Sequence, residues 1–362
     1  MRGQRAGASA GDVLQYLRSQ PKTVGELCTA SGFARSTICD RLRELEGAGL
    51  IALTAPAPSS GGRPAGRYAV RSGADILVLT GRASGNTLRV ALRTAAGKPI
   101  AEVGPRPINA CDELVTTVTA AWADLVRKAA PAGATLAAGT LLIDDQPRRP
   151  ESLRLPPLAQ PREDPTSGRV AGLPLAVIRT SDALAILAAA GAGHAGRNVI
   201  YADRNVPQHA SWVVDGVVQR GSGGLAGTLP LPPDPPGDHA SPAGRVPGTR
   251  DTREDGRRVG AALAACVAIL NPSLIFIGGP EDPETAEYLA GVQESVYALS
   301  PPTAGRVLTV RAVNNSPDSA MEAAHHLARE AALNAENVNQ LVRSSAPTAQ
   351  MRAGRYKAGA VA

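Results

Sequence analysis

Through residues 10–50 apolar side chains recur at spacings of three and four, which predicts three short helices. Val13, Leu14 and Leu17 share one face of the first, Ser9 is placed to cap it, and Pro21 closes it. Thr23-Val24-Gly25-Glu26 is a capping box, in which the Thr23 hydroxyl and the Glu26 carboxylate satisfy each other's unpaired amides at a second helix start. Ser31-Gly32-Phe33 makes the turn into a third helix, Arg35 to Glu46. Ile38, Leu42 and Leu45 face inward there, and Arg35, Ser36, Thr37, Arg41 and Arg43 are left outside. Ala34 stands where a Ser or Thr would cap this helix, so its start is weaker by about 1 kcal/mol.

Beyond residue 73 the pattern changes to interleaved strands and helices, which predicts an α/β body. Ile76–Leu79 and Leu88–Leu92 read as a hairpin, Asp112–Ala129 as a helix, Thr135–Ile143 as a strand and Ser181–Ala190 as a helix. Strands Val199–Ala202 and Ser211–Val214 follow, then helix Asp255–Leu270, strand Leu274–Gly278, helix Pro283–Leu299, strand Val307–Val310 and helix Ser316–Leu333. Residues 336–362 are polar, Ala/Gly-rich and basic, the composition of a disordered tail. The expected units are therefore 1–72, 73–335 and the tail 336–362.

Composition narrows the possible functions. Of 362 residues, 43% are hydrophobic, enough for two or three real cores, but only 3% are aromatic, so base stacking on aromatic platforms is not the expected mode of nucleic-acid binding. Cys28, Cys39, Cys111 and Cys266 lie far apart, which argues against a zinc site or a disulfide framework and fits a reducing compartment. With neither a membrane span nor a signal peptide in the pattern, a cytoplasmic protein is expected. The net charge of +6 is uneven: residues 1–72 hold ten Lys/Arg against five Asp/Glu, residues 73–342 hold 24 against 27, and residues 343–362 hold four against none. A localised positive field attracts polyanions where an average does not.

The front unit therefore has helix-turn-helix grammar, with the third helix suited to the major groove. STICDRLRELEGAGLIAL resembles the recognition helix and first wing strand of bacterial winged-helix regulators, and Gly61 to Tyr68, which carries Arg63 and Arg67, resembles their wing. Double-stranded DNA is the expected partner, with Arg35, Ser36 and Thr37 near base edges and Arg41, Arg43, Arg63 and Arg67 mainly on phosphates. The other reading of the same residues is a winged helix used for protein contacts, its charges an ordinary solvated face.

Two stretches of the body resemble the ROK family of sugar-responsive repressors and sugar kinases. GRRVGAALAACVAILNPSLIFIGGP, Gly256 to Pro280, is similar to that family's long helix, Asn-Pro turn and Gly-Gly-ended strand, and Asn198 to Gly227 is similar to its central hairpin. The resemblance implies a two-lobed actin-like fold with a boundary near 185–197, a C-terminal helix returning to the first lobe, and dimerisation through the second.

The family's kinase motifs do not carry over. Arg82-Ala83-Ser84-Gly85-Asn86 stands where an Asp-x-Gly-x-Thr phosphate loop would be, and Arg204 to Ser211 replaces a second, glycine-rich loop with a stretch that has no glycine. Arg179 and Thr180 occupy the places of the sugar-binding Asn and the general-base Asp, and Asp182 reads as a helix cap. Thr228 and Leu231 fall where a sugar-binding Glu and His would be. A Pro-rich loop, 230–252, with a lone His239 and no cysteine, replaces the zinc site. Gly278-Gly279 survives, although any tight turn at a strand end can require such a pair, and Asp144-Asp145 has no base, nucleophile or metal ligand paired with it. Accordingly no catalytic residue, metal or cofactor is expected. If Arg82, Arg179 and Arg204 line one cleft, they favour an anionic effector. The expected function is a DNA-binding transcriptional regulator, a repressor acting as a homodimer or a dimer of dimers, with a catalytically inactive ROK body. A ROK sugar kinase carrying a DNA-binding module and a dimerisation scaffold are the alternatives.

Overall fold

The computed structural model of the chain describes residues 9–54, 66–71, 76–108, 114–131, 134–144, 169–170, 173–193, 197–222, 226–231 and 252–343. The front unit is built from α1 (Ala10–Leu17), α2 (Val24–Ser31), α3 (Arg35–Gly47), β1 (Ile51–Thr54) and β2 (Arg67–Val70). Ser9 with Asp12, and Thr23 with Glu26, form capping boxes on α1 and α2, whereas Ala34 gives α3 no side-chain cap. Val13, Leu14, Leu17, Leu27, Ile38, Leu42 and Leu45 are buried together with Leu50 and Ile51. Lys22 and Tyr68 exchange backbone hydrogen bonds of 2.9 and 2.8 Å, so the stretch before α2 adds a third extended segment to the antiparallel pair β1–β2.

In the body, one sheet runs in the order β5 (Pro99–Pro107), β4 (Thr87–Thr94), β3 (Ile76–Ser84), β6 (Thr135–Ile143), β8 (Leu173–Arg179) and β7 (Arg169–Val170). Its central strands β3, β6 and β8 are parallel. Strand alternation sends Leu77, Leu79 and Leu141 towards α4 (Leu114–Ala129), where buried Trp122 donates its indole N–H to the Thr80 carbonyl at 3.0 Å. Val78 and Ala138 point the other way, towards α9 (Pro317–Ala332). The second sheet runs β11 (Val217–Val218), β10 (Val206–Val214), β9 (Asn198–Asp203), β12 (Leu274–Gly279) and β13 (Thr309–Asn314). Helices α6 (Thr252–Leu270) and α7 (Pro283–Leu299) cover one face, and α5 (Thr180–Gly191) with α9 covers the other. A single turn, α8 (Pro302–Gly305), precedes β13. The chain changes sheet between β8 and β9, the connection that contains 185–197, and α5, which opens it, packs on β9 and β10. Helix α9 lies against β3, β6 and α5.

The C-terminal region departs from the sequence reading. Residues 335–343 are helical, and Asn337 and Val338 are buried, so the tail expected from 336 is structured at least to 343; residues 344–362 lie outside the described residues. The polar residues that suggested disorder serve as partners for backbone groups. Asn337 Nδ2 donates to the carbonyls of Ala137 and Ala332 at 3.0 and 3.1 Å. Asn339 Oδ1 accepts from the Gly11 amide at 2.8 Å, and Gln15 Nε2 donates to the Leu333 carbonyl at 2.8 Å. Arg18 pairs with Glu330. A Cβ on Gly11 would lie 2.1 Å from the Ala335 oxygen, so the first helix rests directly on the backbone of this last one. Front unit and body thus share one apolar core, in which Leu14 and Leu17 are joined by Ala328, Ala332, Leu333 and Val338.

Candidate nucleic-acid interface

On α3, Arg35 and Ser36 are exposed, Thr37 is half-buried, and the third-turn Arg43 has a side chain 71% exposed. Arg41 pairs with Glu44 at 2.5 Å and Arg43 with Asp40 at 2.7 Å, both three residues apart on the helix. Arg35 has no ion pair with a described residue. Arg67 extends from β2 towards the start of α2, where its guanidinium pairs with Glu26 and donates to the Pro21 carbonyl at 3.4 Å. The Glu26 carboxyl is held below the usual carboxylate range, chiefly by the Thr23 amide, then by the Thr23 hydroxyl and the nearby Arg67 and Lys22 charges. Arg63 and the rest of the wing tip lie outside the described residues. Arg35, Ser36, Thr37, Arg41 and Arg43 are therefore carried on one helix, with Arg67 turned to brace the wing strand against α2.

Of the three arginines expected to attract an anion, Arg82 and Arg179 lie on β3 and β8 of the first sheet, and Arg204 follows β9 of the second. Arg82 makes a two-pronged pair with Asp144, both contacts 3.0 Å, and the Thr180 hydroxyl donates to the same carboxylate at 2.8 Å. Arg204 belongs to the other sheet and bonds to Asp282 (3.1 Å), Thr285 (3.0 Å) and Glu284 (3.2 Å) at the start of α7. The Asp282 carboxyl is held below its ordinary range, first by the Thr285 amide and then by the Thr285 hydroxyl and Arg204. Arg179 ends β8, one residue before α5, in register with Ile143. Arg82 and Arg204 each already have a carboxylate partner.

Asp182 is not the cap that the sequence suggested. It sits in the first turn of α5 without a capping bond, buried, where it pairs with Arg220 at 2.8 Å and accepts from the Ser211 hydroxyl at 2.6 Å. Its partners lie 29 residues or more away along the chain, beyond the reach of a local pattern.

Gly278 and Gly279 also have a packing explanation. A Cβ on Gly278 would lie 2.0 Å from the Tyr201 hydroxyl, and one on Gly279 would lie 2.7 Å from Thr285 Oγ1, so protein atoms fill the space beside both. This strand end is acidic. Asp203 accepts from Tyr201 (3.2 Å), Asn315 (2.8 Å) and the Asn205 amide (2.8 Å), and Glu281, Asp282 and Glu284 lie close by with Arg204 among them. A group of carboxylates repels phosphate instead of cradling it. Thr228 bridges to His209 as backbone in an antiparallel contact. Among the described residues no group of His, Cys, Asp and Glu could hold a metal, Cys28, Cys39 and Cys266 are free thiols, and no helix is long and apolar enough to cross a membrane. Asp145, His239, Cys111 and residues 232–251 of the Pro-rich loop lie outside the described residues.

Residues 12–52, from α1 into β1, match the helix-turn-helix of the bacterial regulatory proteins of the arsR family. No curated protein matches the chain by sequence. In structure the chain is similar to a ROK family transcriptional regulator, a homolog of the E. coli MLC protein, with a TM-score of 0.69 and 18% identity over 92% of this chain and 98% of that one. A ROK hexokinase from Thermus thermophilus (TM-score 0.48, 17% identity, 71% of this chain and 97% of that one) and a ROK family glucokinase from Streptomyces griseus (0.44, 17%, 70% and 99%) also align. The fold is an N-terminal helix-turn-helix followed by a ROK-like, actin-like α/β body.

Proposed function

We propose that the chain is a dimeric, DNA-binding transcriptional repressor of the cytoplasm whose body does not transfer phosphoryl groups. The observation that carries this reading is α3 itself: Ile38, Leu42 and Leu45 are buried on one side, and the opposite side is presented to solvent with Arg and Ser at its start. That is the arrangement a helix needs to enter a major groove while the rest of its unit stays folded. Arg35, Ser36 and Thr37 are nearest the base edges, and Arg41 with the wing arginines, Arg63 foremost, contacts phosphates.

The absence of catalysis is supported residue by residue. Thr180 cannot act as a carboxylate base, Arg82 with Asp144 occupies the first phosphate-loop position, and Tyr201 and Thr285 fill the space beside the glycine pair. General-base catalysis and charge stabilisation each contribute several powers of ten, and both need groups that are missing at these positions. Self-association is supported by Ile269, Leu299 and Val307, large apolar side chains that the monomer leaves exposed near the ends of α6 and α7 and just before β13. A two-fold dimer would present two copies of α3 to half-sites about one helical turn apart.

Selection from a pool of random duplexes with the full chain tests the reading. A pseudo-palindromic site is the expected result, and binding without sequence preference at low salt would count against it. A coupled assay with ATP and a panel of hexoses is expected to show no turnover; turnover would restore the kinase reading.

A further inference from the structure

Ser36, Asp40, Arg43 and Gly47 are exposed at spacings of four, three and four along α3, which places them on one stripe opposite Ile38, Leu42 and Leu45. The two charged members of the stripe are Asp40 and Arg43, with side chains 56% and 71% exposed, and Arg43 Nη1 donates to Asp40 Oδ1 at 2.7 Å. Arg41 lies to the side of the stripe, with a half-buried side chain pointing to Glu44. Groove geometry separates the two arginines. When a helix enters the major groove, the residues at the middle of its outward stripe meet base edges, and those on its flanks meet the sugar-phosphate walls.

An aspartate at the middle of such a stripe repels phosphates unless its charge is matched. Here it is matched by Arg43, and the pairing does more than neutralise. A guanidinium has five N–H donors in a rigid fork. Asp40 engages one of them, leaving enough donors for a bidentate contact, and it restrains a long side chain that would otherwise lose rotamer freedom on binding. The base whose major-groove edge offers two adjacent acceptors to such a fork is guanine, through O6 and N7.

We propose that Asp40 and Arg43 form one base-reading unit, in which Arg43 reads a guanine in each half-site and Asp40 is the positioning residue that aims it. Arg43 is thereby moved from the phosphate contacts to the base contacts. The inference rests on the assignment of α3 as the recognition helix.

Duplex selection with the full-length wild type, Asp40→Ala and Arg43→Lys tests it, with melting curves confirming that these exposed substitutions leave the fold intact. The wild type is expected to select guanine at a fixed position of each half-site. In Asp40→Ala the guanine preference at that one position should fall by roughly five- to 150-fold, with the other positions unchanged. Arg43→Lys keeps the charge but loses the rigid fork, so it should weaken the same preference while its salt dependence stays that of the wild type. The proposal is overturned if Arg43→Lys selects the wild-type site, as a phosphate contact would, or if Asp40→Ala binds all duplexes more tightly with every selected position preserved, as a solvated pair would. A wild type that selects no sequence overturns the assignment of α3 itself, an outcome distinct from the other two.

Discussion

On α3 the pairs Arg41–Glu44 and Arg43–Asp40 join side chains that keep between 35% and 71% of their exposure, whereas in the body Arg220–Asp182 keeps 16% and 3% and Arg82–Asp144 keeps 17% and 19%. The functional groups are the same and the lengths are similar; the surroundings differ. An exposed pair is worth about 0–1 kcal/mol, because water and salt compete with it and two long side chains must be held still. Such an arginine stays available to DNA: Arg41 can leave Glu44 for a phosphate at little cost, and Arg43 keeps further donors to offer while Asp40 holds one. A buried pair gains little over an apolar replacement, yet removing one partner costs about 3–5 kcal/mol because the other charge is left without water. Its arginine is fixed in place. Arginine content alone therefore does not identify a binding surface, and burial of the partner carboxylate separates the two regions.

The largest effect should come from the buried side of that comparison. Asp182→Ala leaves Arg220 without its carboxylate partner and Ser211 with only the longer contact to Ser181, so urea denaturation should show a loss of about 3–5 kcal/mol. The double variant Asp182→Leu with Arg220→Met should recover most of it, since the burial penalty disappears with both charges. A single-variant loss below about 1 kcal/mol would mean that the pair is hydrated in solution, and the comparison would fail.

A smaller effect should arise at the seam joining the two regions. Any side chain at position 11 runs into the Ala335 carbonyl, so Gly11→Val should cost about 1–3 kcal/mol and raise hydrogen exchange in α1 and in 335–343. Position 11 is remote from the outward face of α3, so a fall in DNA affinity in this variant would show that the body holds the recognition helix in place. The same seam should respond to pH. Burial pushes the imidazoles of His325 and His326 down, an effect opposed in His325 by its bond to the Thr94 carbonyl and in His326 by Glu330. With folded values below the ordinary value of about 6.5, the unfolded chain takes up protons first as pH falls. The stabilisation is thus complete above that value and is lost as pH drops through the lowered folded values. Melting temperature should fall between about pH 7.5 and about pH 5.5, and the fall should be shallower in the double variant His325→Gln, His326→Gln.

What the sequence revealed follows the range of the interactions involved. Capping at Thr23 and Glu26, the inward Ile38, Leu42 and Leu45, and the missing cap at Ala34 are decided within four residues, and each stands in the structure as the pattern indicated. The departures from the kinase motifs that the ROK resemblance implies are read in the same way, since each is a short string. The partners of Arg82, Arg204 and Asp182 were not, because Asp144, Asp282 and Arg220 lie 62, 78 and 38 positions away, and nothing local connects them. Strand β5, with proline at both ends and an exposed outer face, lacks the alternation that marks a half-buried strand. Residues 336–343 misled by composition: Asn337 and Asn339 read as solvated polar residues, although they bond backbone groups inside the seam.

The smallest change in stability is expected at Arg41, and it is there that the two regions can be told apart most cleanly. Arg41→Ala removes a half-exposed, neighbouring pair, so denaturation should shift by no more than about 1 kcal/mol. If Arg41 contacts a phosphate, the same variant should bind specific and nonspecific duplexes more weakly by similar factors. The slope of log affinity against log salt should then flatten by about one unit, the release of one counterion fewer. The two measurements answer different questions. An unchanged slope would remove Arg41 from the DNA contacts without touching the argument about burial. A loss of several kcal/mol in stability with the slope intact would mean that this half-exposed pair behaves like Asp182–Arg220, and dielectric surroundings would no longer distinguish the arginines of α3 from those of the body.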